Sequence, residues 1–366
     1  MFGGLAGWRK GLEVAGIGVA EPGETAADLA VAPAELAAEA MATRADAVIL
    51  EGRRGASTLA AAGYAVRRYL PLPSLDAPDL VLSLQPGPAT RYALERWRPA
   101  DTPGKRLRNR AAAYLIARDA LPELRPVQAV GIRTAGPPFP IAAAAAFGVP
   151  PDADWFMTVG QGDPLTRVAF HLLPLGADEP VWVLKLARVR GYRESFDRDE
   201  IGLGLAHGAR SAAAHAPSLI GRFEADGLHA SLETAAVGEP LSALLLRDRR
   251  AALAVLEEIA AWILRVGQET AAASDTLADE RQRLTDDVLA HWLDRGAPSD
   301  LVERLPKLQA VLQHNDLGSW NIVVQPSGGF AALDWESARR HGLPLWDLLY
   351  FLVDVLPQPN AVVRHR

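Results

Sequence analysis

The sequence predicts an α+β protein: a small α/β module, then a strand-rich segment that gives way to a helix-rich one. Three observations carry this. Short apolar runs bounded by Gly/Pro turns recur between residues 155 and 233. Beyond residue 241 the apolar residues return at helical spacing. Residues 122–151, rich in proline, glycine and alanine, stand between both of these and the start of the chain. Strand-rich and helix-rich segments in succession predict two lobes with a cleft between them.

From the N-terminus, residues 34–44 are alanine-rich with helical spacing, 47–50 read as a strand, 51–55 as a turn and 56–63 as a helix. Residues 64–70 read as the next strand and 106–121 as an amphipathic helix. The expected boundaries are a module at 1–135, a linker at 136–151 and a second domain at 152–366, divided near residue 238. That domain opens with strands at 155–159, 167–174 and 181–186, a turn at Gly160-Gln161-Gly162 and another at 176–180. A helix at 197–214 and a strand at 227–233 follow, then helices at 241–246, 250–269, 279–295 and 298–312.

Composition narrows the function. The net charge is −6, which supplies no general attraction for nucleic acid. The chain has no cysteine, so disulfides, thiolate metal sites and thiol nucleophiles are excluded. The first ten residues lack the basic-then-apolar order of a signal peptide. The apolar stretch 129–149 is broken by Arg133, Pro137, Pro138 and Pro140, so no membrane span is expected there and a cytoplasmic protein is. Only four of the 38 basic residues are lysine: Lys10, Lys105, Lys185 and Lys307. Lys185 sits inside an apolar strand, which singles it out.

The informative motif is His314-Asn315-Asp316, with Asn321 five residues after Asp316, Asp334 thirteen beyond Asn321, and Glu336 close behind. An aspartate before a glycine is by itself a turn residue; the whole set is harder to explain as turns. It resembles the catalytic core of the aminoglycoside phosphotransferase and choline kinase families, which share the plan of protein kinases. The resemblance implies a kinase-like fold over about residues 152–366, with ATP and Mg²⁺ as cofactors. In it Asp316 accepts or orients the attacking hydroxyl, His314 braces the loop, and Asn321 and Asp334 are hard oxygen ligands for Mg²⁺. It further implies that Lys185 holds the α/β-phosphates, paired with a carboxylate on the following helix, Glu200 first and Glu194 second. Gly160 and Gly162 would cover the phosphates. The segment 230–241, with Glu233, looks like the hinge that meets the adenine. Asp347, in the later Gly342-Leu343-Pro344 segment, would anchor the catalytic loop.

Only 32 residues follow Asp334, where the families usually have further helices, so a short C-lobe is expected. Residues 268–304 hold nine acids against four arginines, either solvated helix faces or a wall that favours a cationic acceptor. Residues 61–73 faintly resemble the late strand–loop region of some nucleotide-dependent methyltransferases, though residues 51–55 lack a Gly-x-Gly pattern. The expected function is transfer of the γ-phosphate of ATP to a hydroxyl of an amino sugar, sugar or amino alcohol. Two alternatives remain open: a non-catalytic nucleotide-binding scaffold, and a bifunctional protein with a methyltransferase-like module.

Overall fold

The computed structural model describes residues 29–33, 47–51, 53–74, 78–85, 87–97, 100, 102–118, 120, 128–132, 136, 139–160, 165–225, 227–272, 300 and 308–356. Gly162, the expected helices at 34–44 and 279–295, and most of the helix expected at 298–312 lie outside them. The described chain forms two compact units, one of Met1–Arg193 with Leu219–Ala235, the other of Glu194–Ser218 with Ala236–Arg366.

The first unit is built on one ten-stranded sheet. In chain order its elements are β1 (Leu29–Pro33), β2 (Ala47–Glu51), α1 (Arg53–Ala61), β3 (Ala65–Pro73) and β4 (Pro78–Ser83). Then come α2 (Pro88–Tyr92), a π-helical turn (Ala93–Trp97), α3 (Pro103–Ala117), β5 (Gln128–Ile132) and α4 (Phe139–Ala144). The strands β6 (Asp154–Val159), β7 (Val168–Leu173), β8 (Trp182–Leu186), β9 (Leu219–Ala225) and β10 (Leu228–Thr234) complete it. The strand order is β1-β2-β5-β3-β4-β6-β7-β8-β10-β9. Only β1 and β2 run parallel among the described strands.

Helix starts follow local chemistry. Proline opens both α2 and α3, where a missing N–H costs nothing, and Thr102 caps α3 by accepting the Lys105 N–H at 3.2 Å. Period-two alternation sends side chains of the central strands to opposite faces. On one face Phe156 joins Leu70, Leu80 and Leu82 under the helical residues Tyr92, Leu94 and Ile116. On the other, Trp155, Phe170, Leu172, Leu184 and Leu232 pack with Ile141, Ala144 and Phe147. Residues 139–147, which read as linker, are thus a helix and a 3₁₀ turn that cover the sheet.

The second unit holds α5 (Glu194–His207), α6 (Arg210–Ala213), β11 (Glu239–Pro240), α7 (Leu241–Arg247) and α8 (Arg249–Thr270). After these come β12 (Val311–Gln313), β13 (Ile322–Val324), β14 (Phe330–Ala332), β15 (Arg339–Gly342) and α9 (Trp346–Val355). The single helix expected at 197–214 is two, because the first helix ends at His207 and Ala209 is extended before α6 begins. Residues 311–313 are strand rather than helix and pair with β15. β13 pairs with β11 on one side and β14 on the other. No helix among the described residues is long and apolar enough to cross a membrane.

Candidate active site

β12 delivers the chain into a loop, residues 314–321, whose backbone is held from α9. Asp347 lies in the first turn of that helix, where a carboxylate suits the dipole. Its Oδ2 accepts the His314 N–H at 2.6 Å and its Oδ1 the Asn315 N–H at 2.8 Å. Burial pushes the Asp347 carboxyl above its ordinary range, against the lowering effect of the two backbone donors. Asn315 takes φ +72°, a left-handed conformation that asparagine tolerates. A second carboxylate of α9, Asp354, accepts the Ser319 N–H at 2.7 Å.

His314 is buried with its ring against Trp335, centroids 4.6 Å apart. Its Nε2 lies 2.8 Å from the Leu333 carbonyl, which can only accept, so Nε2 carries the proton. Nδ1 then faces the Asp316 N–H at 3.4 Å as an acceptor. The histidine bridges two segments in a single tautomer, which is a bracing role.

Asp316 has donors on both carboxylate oxygens. Asn321 Nδ2 donates to Oδ2 at 3.0 Å and also to the Asp316 carbonyl at 2.9 Å. The Tyr350 hydroxyl donates to Oδ1 at 2.9 Å. The phenol is pushed up to about 12, first by burial, then by its bond to Asp316 and by the charges of Asp316 and Asp354, so it stays a donor.

Asp334 follows β14 and, like Asn315, is left-handed, at φ +61°. The Leu333 N–H donates to the Asn321 carbonyl at 2.7 Å, and β13 pairs Ile322 with Ala332. The strand–turn–strand spacing therefore brings Asn321 and the Leu333-Asp334 segment side by side. The Asn321 amide nitrogen is committed to Asp316, which leaves its oxygen for a cation. No group of three or more His, Asp or Glu suited to a metal occurs among the described residues. A Mg²⁺ site needs none, since it takes one or two protein oxygens and fills the rest with phosphate and water. Glu336 makes an ion pair with Arg198 of α5 at 3.4 Å.

Lys185 lies on β8 in the first unit, opposite Ser231 of β10. The carboxylate beside it is Glu233, two residues along the same face, at 2.8 Å and almost wholly buried. Sequence reasoning placed Glu233 in the segment read as a hinge; its side chain pairs with the lysine. Glu200 lies on an exposed position of α5 in the second unit. Gly160 follows β6, and a Cβ there would fall 2.0 Å from Thr166 Cγ2, so a larger residue would have to displace that side chain.

Of the residues singled out in the sequence, His314, Asp316, Asn321 and Asp334 come together with Asp347, and Lys185 with Glu233. Tyr350 and Asp354 were missed. Their spacing from Asp347, three and seven residues along one helix, puts all three on one face and is the signal that would have found them.

No curated protein matches the chain. Among solved structures, a thermostable mutant of aminoglycoside phosphotransferase APH(4)-Ia in ternary complex with AMP-PNP and hygromycin B is 16% identical, with TM-score 0.38, covering 56% of this chain and 72% of its own. APH(3'')-Id from Streptomyces rimosus is 19% identical, with TM-score 0.37, covering 58% and 80%. Choline kinase LicA from Streptococcus pneumoniae is 15% identical, with TM-score 0.34, covering 54% and 69%. Residues 175–364 match the phosphotransferase enzyme family, APH. That match spans more than half of the chain and takes in the whole loop held by Asp347, so the chain belongs to the phosphotransferase enzyme family.

Proposed function

We propose that this protein transfers the γ-phosphate of ATP to a hydroxyl of a small molecule. The observation that supports it most is Asp316: a carboxylate oriented through both oxygens, on a loop clamped by Asp347 and braced by His314. Phosphoryl transfer asks a protein for positioning and charge neutralisation more than for covalent chemistry. Asp316 receives or orients the acceptor hydroxyl proton. Asn321 and Asp334 fit Mg²⁺, which when bound neutralises charge on the phosphate oxygens. Lys185 holds the α/β-phosphates with Glu233 beside it, and Glu200, Gly160 and Gly162 belong to the nucleotide side of this reading. The kinase-like domain is taken as residues 152–366, and the use of ATP puts the protein in the cytoplasm.

Calorimetry with ATP and Mg²⁺ tests this directly. Metal-dependent binding is expected in the wild type and at least about tenfold weaker binding in Asp334→Ala, a loss of about 1.4 kcal/mol. Asp316→Asn is expected to keep nucleotide binding and lose roughly 10²–10⁴-fold in turnover. A folded wild type that binds no nucleotide would move the reading to a non-catalytic scaffold.

A further inference from the structure

The outer face of α3 concentrates positive charge in a chain whose net charge is −6. Residues 88–118 hold eight arginines and lysines against two acids, Glu95 and Asp101. The helix itself contains no acid. Its orientation is fixed from beneath: Asn109, Ala113 and Ile116 are buried, and Asn109 Nδ2 donates to the Leu94 carbonyl at 2.9 Å. Helical spacing then turns Leu107, Ala111 and Tyr114 outward in one stripe. Leu107 is 70% exposed and Tyr114 57%. The Arg118 guanidinium lies over the Tyr114 ring, 3.6 Å from its centroid, which holds the phenol in place. Arg108 and Arg110, both exposed, flank the stripe on opposite sides. Large apolar groups between cations suit an anionic bilayer, which offers phosphates to the arginines, hydrocarbon to the leucine and a headgroup layer to the tyrosine. A polyanion such as nucleic acid would pair with the cations and leave Leu107 without a partner.

We propose that α3 is a membrane-docking helix that lies along an anionic bilayer surface, with Leu107 and Tyr114 dipping beneath the headgroups and Arg108, Arg110 and Arg118 paired to lipid phosphates. The contact is peripheral: α3 stays packed on the sheet through Ile116 and does not enter the bilayer as a span. One exposed helix gives modest, reversible adhesion that lipid charge and salt control. The proposal stands apart from the phosphotransferase reading, since no residue of α3 belongs to the catalytic loop or to the nucleotide side of that reading.

The test is co-sedimentation of the full chain with vesicles of phosphatidylcholine alone and with vesicles that mix it equally with phosphatidylglycerol, in low and in high salt. Binding is expected to the anionic vesicles only, and to fall at least about tenfold in high salt. Two double variants, Leu107→Ser with Tyr114→Ser and Arg108→Glu with Arg110→Glu, are each expected to bind at least about tenfold more weakly than wild type. All four side chains are exposed, so thermal melting of both variants is expected to match wild type, which separates lost docking from lost folding. Duplex DNA and polyglutamate serve as probes of charge alone. Equal binding to neutral and anionic vesicles, or undiminished vesicle binding by the Leu107 and Tyr114 variant, would overturn the proposal. Retention of the wild type by DNA or polyglutamate with none by vesicles would overturn it too, and would assign α3 to an acidic macromolecule.

Discussion

Asp347 shapes the site without reaching a reacting atom: its two oxygens hold two consecutive backbone N–H groups that the loop would otherwise bury unpaired. His171 illustrates the opposite situation, a buried polar group that chemistry does not use. It stacks on Phe156 at 4.3 Å and meets Trp97 at 4.4 Å, and its Nδ1 has no partner among the described residues. Burial pulls its pKa down to about 3. The native state thus needs the neutral ring, while the unfolded chain takes up a proton near the ordinary value of about 6.5. Between those two values the unfolded state binds more protons, and stability falls as pH falls, by about 1.4 kcal/mol per pH unit. Urea midpoints from pH 7 to pH 4 should therefore drop more steeply in wild type than in His171→Phe. Parallel curves would show that His171 is not the titrating group. Its motif-free environment explains why the sequence was silent: a lone histidine in VAFHLL reads as any strand residue. His314 differs because Asp316, Asn321 and Asp334 surround it at fixed short spacings, and short spacings are what a sequence displays.

At the scale of elements, α5 approaches the turn that follows Asp334 as closely as backbone allows. A Cβ on Gly202 would lie 1.8 Å from the Trp335 carbonyl oxygen, and backbone cannot yield as a side chain can. Gly202→Ala should therefore cost about 1–3 kcal/mol from overpacking, and it should weaken ATP·Mg²⁺ binding because the displaced turn carries Asp334. Gly204→Ala is the control on the same helix: a Cβ there meets nothing within 4 Å, and alanine should add about 0.5–1 kcal/mol of stability. Chemical denaturation of the two variants, read beside calorimetry, separates the effects. Equal behaviour would mean that α5 does not set the Asp334 turn. The helix itself was legible from its periodicity, whereas the meaning of Gly202 was not, since its contact lies more than a hundred residues away. The ion pair of Lys185 with Glu233 was hidden for the same reason: Glu233 reaches the lysine through strand register, which only the folded sheet fixes.

Across the whole molecule, strands from both sides of residues 136–151 join one sheet. β4 pairs with β6 through Leu80↔Thr158 and Leu82↔Phe156. Asp154, at the start of β6, accepts the Ala89 N–H at 2.9 Å and so holds the start of α2. Composition at 136–151 suggested a linker, and composition cannot reveal which strands meet across such a segment. A fragment of residues 152–366 would leave the β6 edge unpaired and uncover Phe156, and exposed apolar edges associate. It is expected to aggregate, or to unfold well below the full chain in a thermal scan. A monomeric fragment with the melting behaviour of the full chain would show that the β4–β6 junction is dispensable.

The left-handed backbone at Asn315, Asp334 and Leu345 has a consequence for anyone who evolves this protein in the laboratory. Each such non-glycine residue costs of order 1 kcal/mol, and each sits within or beside the site. Glycine would relieve that cost at residue 334 while deleting the carboxylate proposed to hold Mg²⁺. A library scored only for heat resistance would enrich variants that survive boiling better and transfer no phosphate, so activity must be kept in the screen from its first round.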